Sequence, residues 1–169
     1  MADACTVRAL TEDDLPMVLV WRNHPAVRSF MLTQHEISME EHRNWFVRVK
    51  EVKTRQLLLV MDGADPLGFV QFNPVCQGGI ANWGFYARPD APKGSGTKLG
   101  QAALAHAFKA LGLHKVCGKA IESNVASIAL HQKLGFKEEG RLREQQRIAN
   151  QYHTLFFFGL LANDWQESQ

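Results

Sequence analysis

Three cysteines are all the chain has, Cys5, Cys76 and Cys117. They are odd in number and widely spaced, with no CxxC pair, which argues against a disulfide framework and against a zinc module. The seven histidines form no H-x-x-x-H pair and no Cys/His cluster, so no metal is expected. No apolar run approaches the roughly 18 residues needed to cross a bilayer, and no basic, apolar-cored leader opens the chain. The expected setting is therefore reduced and cytoplasmic, with no membrane partner. Charge of one sign is also missing: 19 Lys+Arg stand against 17 Asp+Glu, net +2, too little for bulk nucleic-acid binding. Any basic site must be local and aimed at a small anion.

What is present is an ordinary globular composition, 46% hydrophobic and 21% charged over 169 residues, without repeats, linkers or low-complexity segments. This predicts one mixed α/β domain over residues 1–169. Cys5 to Leu10 alternates as a strand. Thr11 and Asp14 form a capping box for a helix with Leu15, Val18 and Leu19 inward, and Asn23 is the expected cap of a short helix from Ala26 to Phe30. Ser38 and Glu41 repeat the capping box before a helix bearing His42, Trp45, Phe46 and Val49.

The period then changes to that of strands at 56–60, 67–72 and 80–87, with turns at Asp62-Gly63 and Gly78-Gly79. Gly84, within the aromatic run Trp83 to Tyr86, predicts a bulge that frees backbone groups for a ligand. A helix from Gly96 to Leu111, a strand from Val116 to Ile121, a helix opened by Ser123-Asn124 with Ile128 and Leu130 inward, and two final strands, 137–145 and 152–161, complete the order.

The densest chemistry lies in Trp83 to Pro89 followed by Lys93-Gly94-Ser95-Gly96-Thr97-Lys98-Leu99-Gly100. A glycine loop between a strand and a helix start exposes backbone N–H groups at the positive end of a helix dipole, with Lys93 and Lys98 adding charge. It is neither a P-loop nor a dinucleotide fingerprint. Alone it reads equally as a flexible turn. Downstream, the stretch from Asn124 to Phe136 reads N-x-x-S-x-x-L-H-x-x-x-G-F.

With these two motifs the chain resembles the GNAT (Gcn5-related) N-acetyltransferases, whose loop is written Q/R-x-x-G-x-G/A. Lys93, Gly96 and Lys98 occupy the three positions, so this chain departs at the first and last. The resemblance implies a mixed, mainly antiparallel seven-stranded sheet with flanking helices, splayed between strands 4 and 5, and acetyl-CoA as co-substrate. It further implies that Phe85 and Tyr86 lend backbone groups to the pantetheine arm, and that residues 94–99 hold the pyrophosphate. Asn124 and Ser127 would meet the pantetheine, although Asn124 reads as well as a helix N-cap.

His131 stands where many members carry a tyrosine that protonates the departing thiolate. An imidazole can do this too, or it can be a plain surface histidine. The acceptor amine needs a base or a water chain. Glu122, at a strand's carboxyl end, is the first candidate and His42 the second. Arg22 and Arg28 can supply paired donors to a phosphate, with Asn23, Met31 and Trp45 lining the acceptor end. For the arginines the plain alternative is a solvated face.

The elements Trp21-Arg22-Asn23, Glu41-His42-x-x-Trp45-Phe46, Gly94-x-Gly96-Thr97-x-x-x-Gly100 and Leu113-His114-Lys115-Val116 together resemble one branch more specifically. That branch acetylates the 4-amino group of a UDP-linked 4-amino-4,6-dideoxy sugar in bacterial pseudaminic-acid biosynthesis, toward flagellin glycosylation. The partner it implies is a UDP-amino-sugar. A polyamine or protein N-terminal acceptor, and a non-catalytic acyl-CoA-binding module, are the alternatives; a homodimer is compatible with all of them.

Overall fold

In a computed structural model, residues 4–165 are described. Strand β1 (Thr6–Ala9) leads through a single 3-10 turn into helices α1 (Leu15–Asn23), α2 (Pro25–Arg28) and α3 (Met39–Lys50). The antiparallel run β2 (Gln56–Asp62), β3 (Asp65–Asn73) and β4 (Ile80–Ala87) follows. Then come α4 (Ser95–Ala105), β5 (Lys115–Ile121), α5 (Val125–Lys133), β6 (Lys137–Ile148) and β7 (Gln151–Leu161).

Local chemistry sets the helix starts. Asp14 Oδ2 accepts from the Thr11 N–H at 2.8 Å and its hydroxyl at 3.0 Å, closing the box before α1. Ser38 Oγ accepts from the Glu41 N–H at 3.1 Å before α3. The cap of α2 is His24 rather than Asn23: His24 Nδ1 accepts from the Ala26 N–H at 3.1 Å. α4 ends earlier than its periodicity predicts, because its last turn widens into a π-helix at His106–Ala110.

The seven strands form one sheet in the order β1-β2-β3-β4-β5-β7-β6, antiparallel throughout except for β4 and β5. Alternate residues of β2 serve opposite faces. Leu57 and Leu59 join Leu15, Val18, Trp21 and Phe46 under α1 and α3. Leu58 and Val60 join Leu99, Ala103, Leu104 and Trp83 under α4 and α5. Burial on both faces is why β2 reads as an unbroken apolar run. No helix among the described residues is long and apolar enough to cross a membrane.

The sheet splays at its one parallel pair. β4 meets β5 only at Ile80↔Lys115, Ala81↔Val116 and Asn82↔Cys117. Beyond these, β4 continues on β3 as far as Ala87↔Gly68, and β5 continues on β7 as far as Ile121↔Leu155. Trp83 and Gly118 are therefore the first residues on either side of an open V. The bulge expected at Gly84 is absent, since β3 and β4 run in continuous register from Gly68↔Ala87 to Asn73↔Asn82. The V arises from β5 turning away, and Gly84 has a different use, described below.

Candidate active site

The phase of β4 decides which backbone groups face the gap. The Arg88 N–H donates to the Leu67 carbonyl on β3 at 2.9 Å. Groups in an antiparallel ladder alternate, so Tyr86 and Gly84 also bond toward β3, whereas Phe85 and Ala87 turn their N–H and C=O groups to the V. Phe85 is thus where the sequence places it. Tyr86 offers its side chain rather than its backbone, and Ala87 takes its place along the gap.

At the adjoining start of α4, Gly94 has φ of 91°, a conformation glycine adopts without penalty. The chain thereby turns so that the Ser95 N–H bonds the Pro92 carbonyl at 3.1 Å and the Lys98 N–H bonds the Gly94 carbonyl at 3.2 Å. Ser95 is buried, and its hydroxyl also donates to the Pro92 carbonyl at 2.6 Å. Of the four first-turn donors of α4, the N–H groups of Gly96 and Thr97 remain without a backbone acceptor among the described bonds. Two free N–H groups at a helix N-terminus, with exposed Lys93 beside them, fit a pyrophosphate. Lys98 points elsewhere and pairs with Asp62 at 3.2 Å. The Leu99 side chain is wholly buried, so only its backbone is near this site.

The V opens into a cleft of about 1380 Å3 that passes between the α1–α3 segment and the N-terminus of α5. A single small-ligand pocket is commonly about 300–1,000 Å3, so this cleft has room for two substrates.

On the α1–α3 side the cleft is lined by Arg22, Met31, His42 and Trp45, as the sequence predicts. Rings form a continuous wall: His42 stacks on Trp45 at 5.3 Å, Trp45 meets Phe69 edge-on at 6.2 Å, and Phe69 meets Tyr86 at 5.2 Å. Two polar atoms in this wall are buried and unpartnered, Arg22 Nη1 and His42 Nε2. Arg22 is held by Nη2, which donates to the Thr33 carbonyl at 2.8 Å. Burial, and then the nearby Arg22 charge, push the His42 pKa below the ordinary histidine value, against an opposing bond to the Leu15 backbone. At neutral pH the ring is an unprotonated base whose Nε2 has no partner among the described residues. Burial likewise raises the Tyr86 phenol, which stays protonated.

Two predicted acceptor residues are used otherwise. Asn23 spends its amide on Ile37, and Arg28 lies 3.9 Å from Glu36; neither lines the cleft. The sequence reading missed Arg55 and Gln71, which do line it, as does Gly84, which it expected as a bulge rather than as cleft lining. Gln71 Oε1 accepts from Arg55 Nε at 3.3 Å and Nη2 at 2.9 Å, so the amide NH2 is the end left for other partners. A Cβ on Gly84 would stand 3.4 Å from that NH2, in ordinary contact, so a methyl group would fit there but would take up cleft space. The one legible signal was Gln71, a polar residue in an otherwise apolar strand.

At the α5 end, Asn124 and Ser127 line the cleft. Asn124 is the helix cap, its Oδ1 accepting from the Ser127 N–H at 3.2 Å, which leaves its NH2 for a ligand. Glu122 is exposed, does not line the cleft, and accepts from the Thr154 N–H at 3.2 Å, so the structure removes it as the base. His131 also departs from its expected role. Its Nε2 accepts from Trp83 Nε1 at 3.1 Å, and its Nδ1 donates to the Ser127 carbonyl at 2.7 Å. An indole only donates, so this imidazole is neutral, and its one proton is committed to a carbonyl. Burial lowers its pKa further. It is not arranged as a general acid. Among the described residues no group of three His, Cys, Asp or Glu side chains is placed to hold a metal.

Residues 5–137 match the family model described as an acetyltransferase (GNAT) domain. The Acetyltransferase PseH of Campylobacter jejuni (serotype O:2) is 27% identical over 127 residues, covering 75% of this chain and 79% of that protein. The putative ribosomal N-acetyltransferase YdaF of Bacillus subtilis is 31% identical over 74 residues, 44% of this chain and 40% of that one. In fold, the chain superposes on spermidine N-acetyltransferase from Vibrio cholerae, solved with CoA and spermine. The TM-score is 0.85 at 24% identity, over 95% of this chain and 96% of that one. The donor side of the V, with free β4 backbone groups leading to free α4 N–H groups, fits acetyl-CoA. With that geometry and a family match over most of its length, the chain belongs to the GNAT acetyltransferases and is an N-acetyltransferase that takes its acetyl group from acetyl-CoA.

Proposed function

We propose that the protein transfers acetyl from acetyl-CoA directly to the 4-amino group of a UDP-linked 4-amino-4,6-dideoxy sugar, with both substrates bound together in the cleft. The observation that carries this reading is Arg22 Nη1, a buried guanidinium nitrogen without a partner in the acceptor wall. Leaving a buried charged donor unpaired is costly, so the site is built for an anion that completes it. A diphosphate supplies that anion, and the Trp45–Phe69–Tyr86 wall supplies ring faces for a base or sugar.

In this reading His42 Nε2 takes the proton that the amine sheds as it attacks the thioester carbonyl. The Phe85 N–H, facing the gap, receives the charge that develops on the carbonyl oxygen. The Gly96 and Thr97 N–H groups anchor the pyrophosphate. The thiol's proton comes from solvent, because His131 has none to release. The resemblance of Trp21-Arg22-Asn23, Glu41-His42-x-x-Trp45-Phe46 and Leu113-His114-Lys115-Val116 to the pseudaminic-acid branch supports the acceptor class.

A polyamine is the second reading, favoured by the spermine-bound neighbour and by Glu40 and Glu41 at the cleft. Against it, Glu41 is already engaged by His35 at 2.9 Å, and Arg22, Arg48 and Arg55 line the same cleft. A polycation meets repulsion there. Acetyl-CoA consumption is measured with the UDP-amino-sugar, spermidine and N-terminal peptides in parallel. Turnover with the sugar nucleotide alone is the expected result. Preferential turnover of spermidine or peptide overturns the acceptor assignment, and acetyl-CoA binding without turnover of any amine would make the chain an acyl-CoA-binding module.

A further inference from the structure

The mechanism leaves the buried imidazole of His131 unused. His131 is only 1% exposed, stacked on Phe158 at 4.8 Å and met edge-on by Phe136 at 5.0 Å. Its two nitrogens join two elements: Nδ1–H ties it to Ser127 in the first turn of α5, and Nε2 ties it to Trp83 on β4. Trp83 is the first β4 residue past the last pairing with β5, and Gly118 is the first on the β5 side. A Cβ on Gly118 would fall closer to His131 Nε2 than real Cβ contacts come, and 2.7 Å from Trp83 Nε1. The hydrogen bond therefore lies directly over the apex of the V, in space that only glycine leaves free. Trp83 also packs against Phe85 at 4.5 Å, the residue whose backbone faces the donor groove.

We propose that the Trp83–His131 hydrogen bond, seated over Gly118, is the wedge that holds β4 and β5 at the opening acetyl-CoA requires. His131 and Trp83 are thereby positioning residues for the donor substrate. The bond couples the N-terminal turn of α5, which carries Asn124 and Ser127 at the cleft, to the free edge of β4. Both ends of the link are cleft walls, so the link sets the width between them. The imidazole spends its one proton on Ser127 and its one free lone pair on Trp83, so position 131 in this chain serves spacing rather than proton donation. The proposal rests on acetyl-CoA being the donor and is independent of which amine accepts.

Titration calorimetry with acetyl-CoA alone tests it, because no acceptor is needed and a wrong acceptor leaves the result standing. W83F and H131F each delete one side of the bond but keep a ring, and each is expected to weaken acetyl-CoA about tenfold. The double variant is expected to be no weaker than either single one, since the bond can be lost only once. H131Q, whose amide can accept from Trp83 and donate to Ser127, is expected to return affinity to within about threefold of wild type. G118A, which intrudes on the bond without touching either partner's chemistry, is expected to resemble W83F. Thermal unfolding is read on the same samples. A fall in Tm with affinity unchanged, losses that add in the double variant, or an H131Q no better than H131F each overturns the proposal. If H131F does not fold, W83F, G118A and H131Q carry the same comparison.

Discussion

Asn23 brackets Ile37: its Nδ2 donates to the Ile37 carbonyl and its Oδ1 accepts from the Ile37 N–H, both at 2.8 Å. The bracket closes the segment between α2 and α3 against the end of α1. That segment carries Met31 in the cleft wall and the Thr33 carbonyl that holds Arg22. N23A is expected to raise the acceptor KM about tenfold, roughly the worth of a half-buried two-point contact, with the acetyl-CoA KM unchanged. Kinetics with both substrates varied decide it; equal shifts in the two KM values would refute the assignment of this segment to the acceptor.

Arg22 places Nη2 on Thr33 and leaves Nη1 for the ligand. One ammonium cannot do both tasks, so R22K is expected to rescue little of what R22M loses, about tenfold to a hundredfold in acceptor affinity. UDP is a convenient probe: it should compete with the acceptor in wild type and much less in R22M. Equal inhibition of both proteins would remove the diphosphate from this site.

His42 must be unprotonated to act as the base. Burial, then the Arg22 charge, depress its pKa below 6.5, so kcat/KM should hold through neutrality and fall only below the ordinary histidine range. H42Q is expected to lower kcat about 10²- to 10⁴-fold and to lose that acid limb. Ionisation of the amine itself, at higher pH, persists in the variant. An unchanged acid limb in H42Q assigns it to another group.

Asp14 tests stability rather than activity. Arg8 grips it with Nη1 at 2.7 Å and Nη2 at 2.8 Å, and with the Thr11 bonds this holds its pKa at about 2. A depressed carboxylate stabilises the fold above its unfolded pKa near 3.8 and loses that contribution as pH falls toward about 2. D14N is expected to cost about 1–2 kcal/mol at pH 7, discounted because Arg8 is half exposed. Denaturant unfolding of both proteins should show the difference shrinking between pH 4 and about 2; a constant gap would mean that the charge contributes nothing.

Acid should weaken the fold earlier as well. His42 and His131 are buried and His106 half-buried, and burial lowers the pKa of each, so the unfolded chain binds protons first as pH drops through about 6.5. Urea midpoints are expected to decline from pH 7 toward pH 5, and less steeply in H131Q. A flat midpoint across that range would contradict the neutral, buried imidazoles.

Much of the fold was written locally. The Thr11–Asp14 and Ser38–Glu41 spacings, the turn at Gly94 and the strand period from 56 to 87 each concern groups within one turn or one pleat, and those elements form where the sequence places them. Local patterning also located the glycine turn before α4 and the cap at Asn124, and it named His42, Arg22 and Trp45, which line the cleft. It failed wherever a side chain chooses a distant partner. Asn23 had two uses open to it, and Ile37, 14 residues on, took both ends of its amide. Glu122 looked free until Thr154 arrived across the sheet.

His131 shows the division most plainly. Its helix, its place in the motif and its proximity to the donor site all follow from spacing along the chain. Whether it gives a proton or spends it depends on Trp83, 48 residues away, reaching it over Gly118. The sequence by itself determined the order of elements, the glycine turn that opens α4 and the cap at Asn124, because those depend on hydrogen bonds and dipoles that close within a few residues. Only the tertiary structure decided which nitrogen carries a proton, which polar atoms stay unpaired, and which β4 groups face the gap, because each is set by a partner brought in across the sheet.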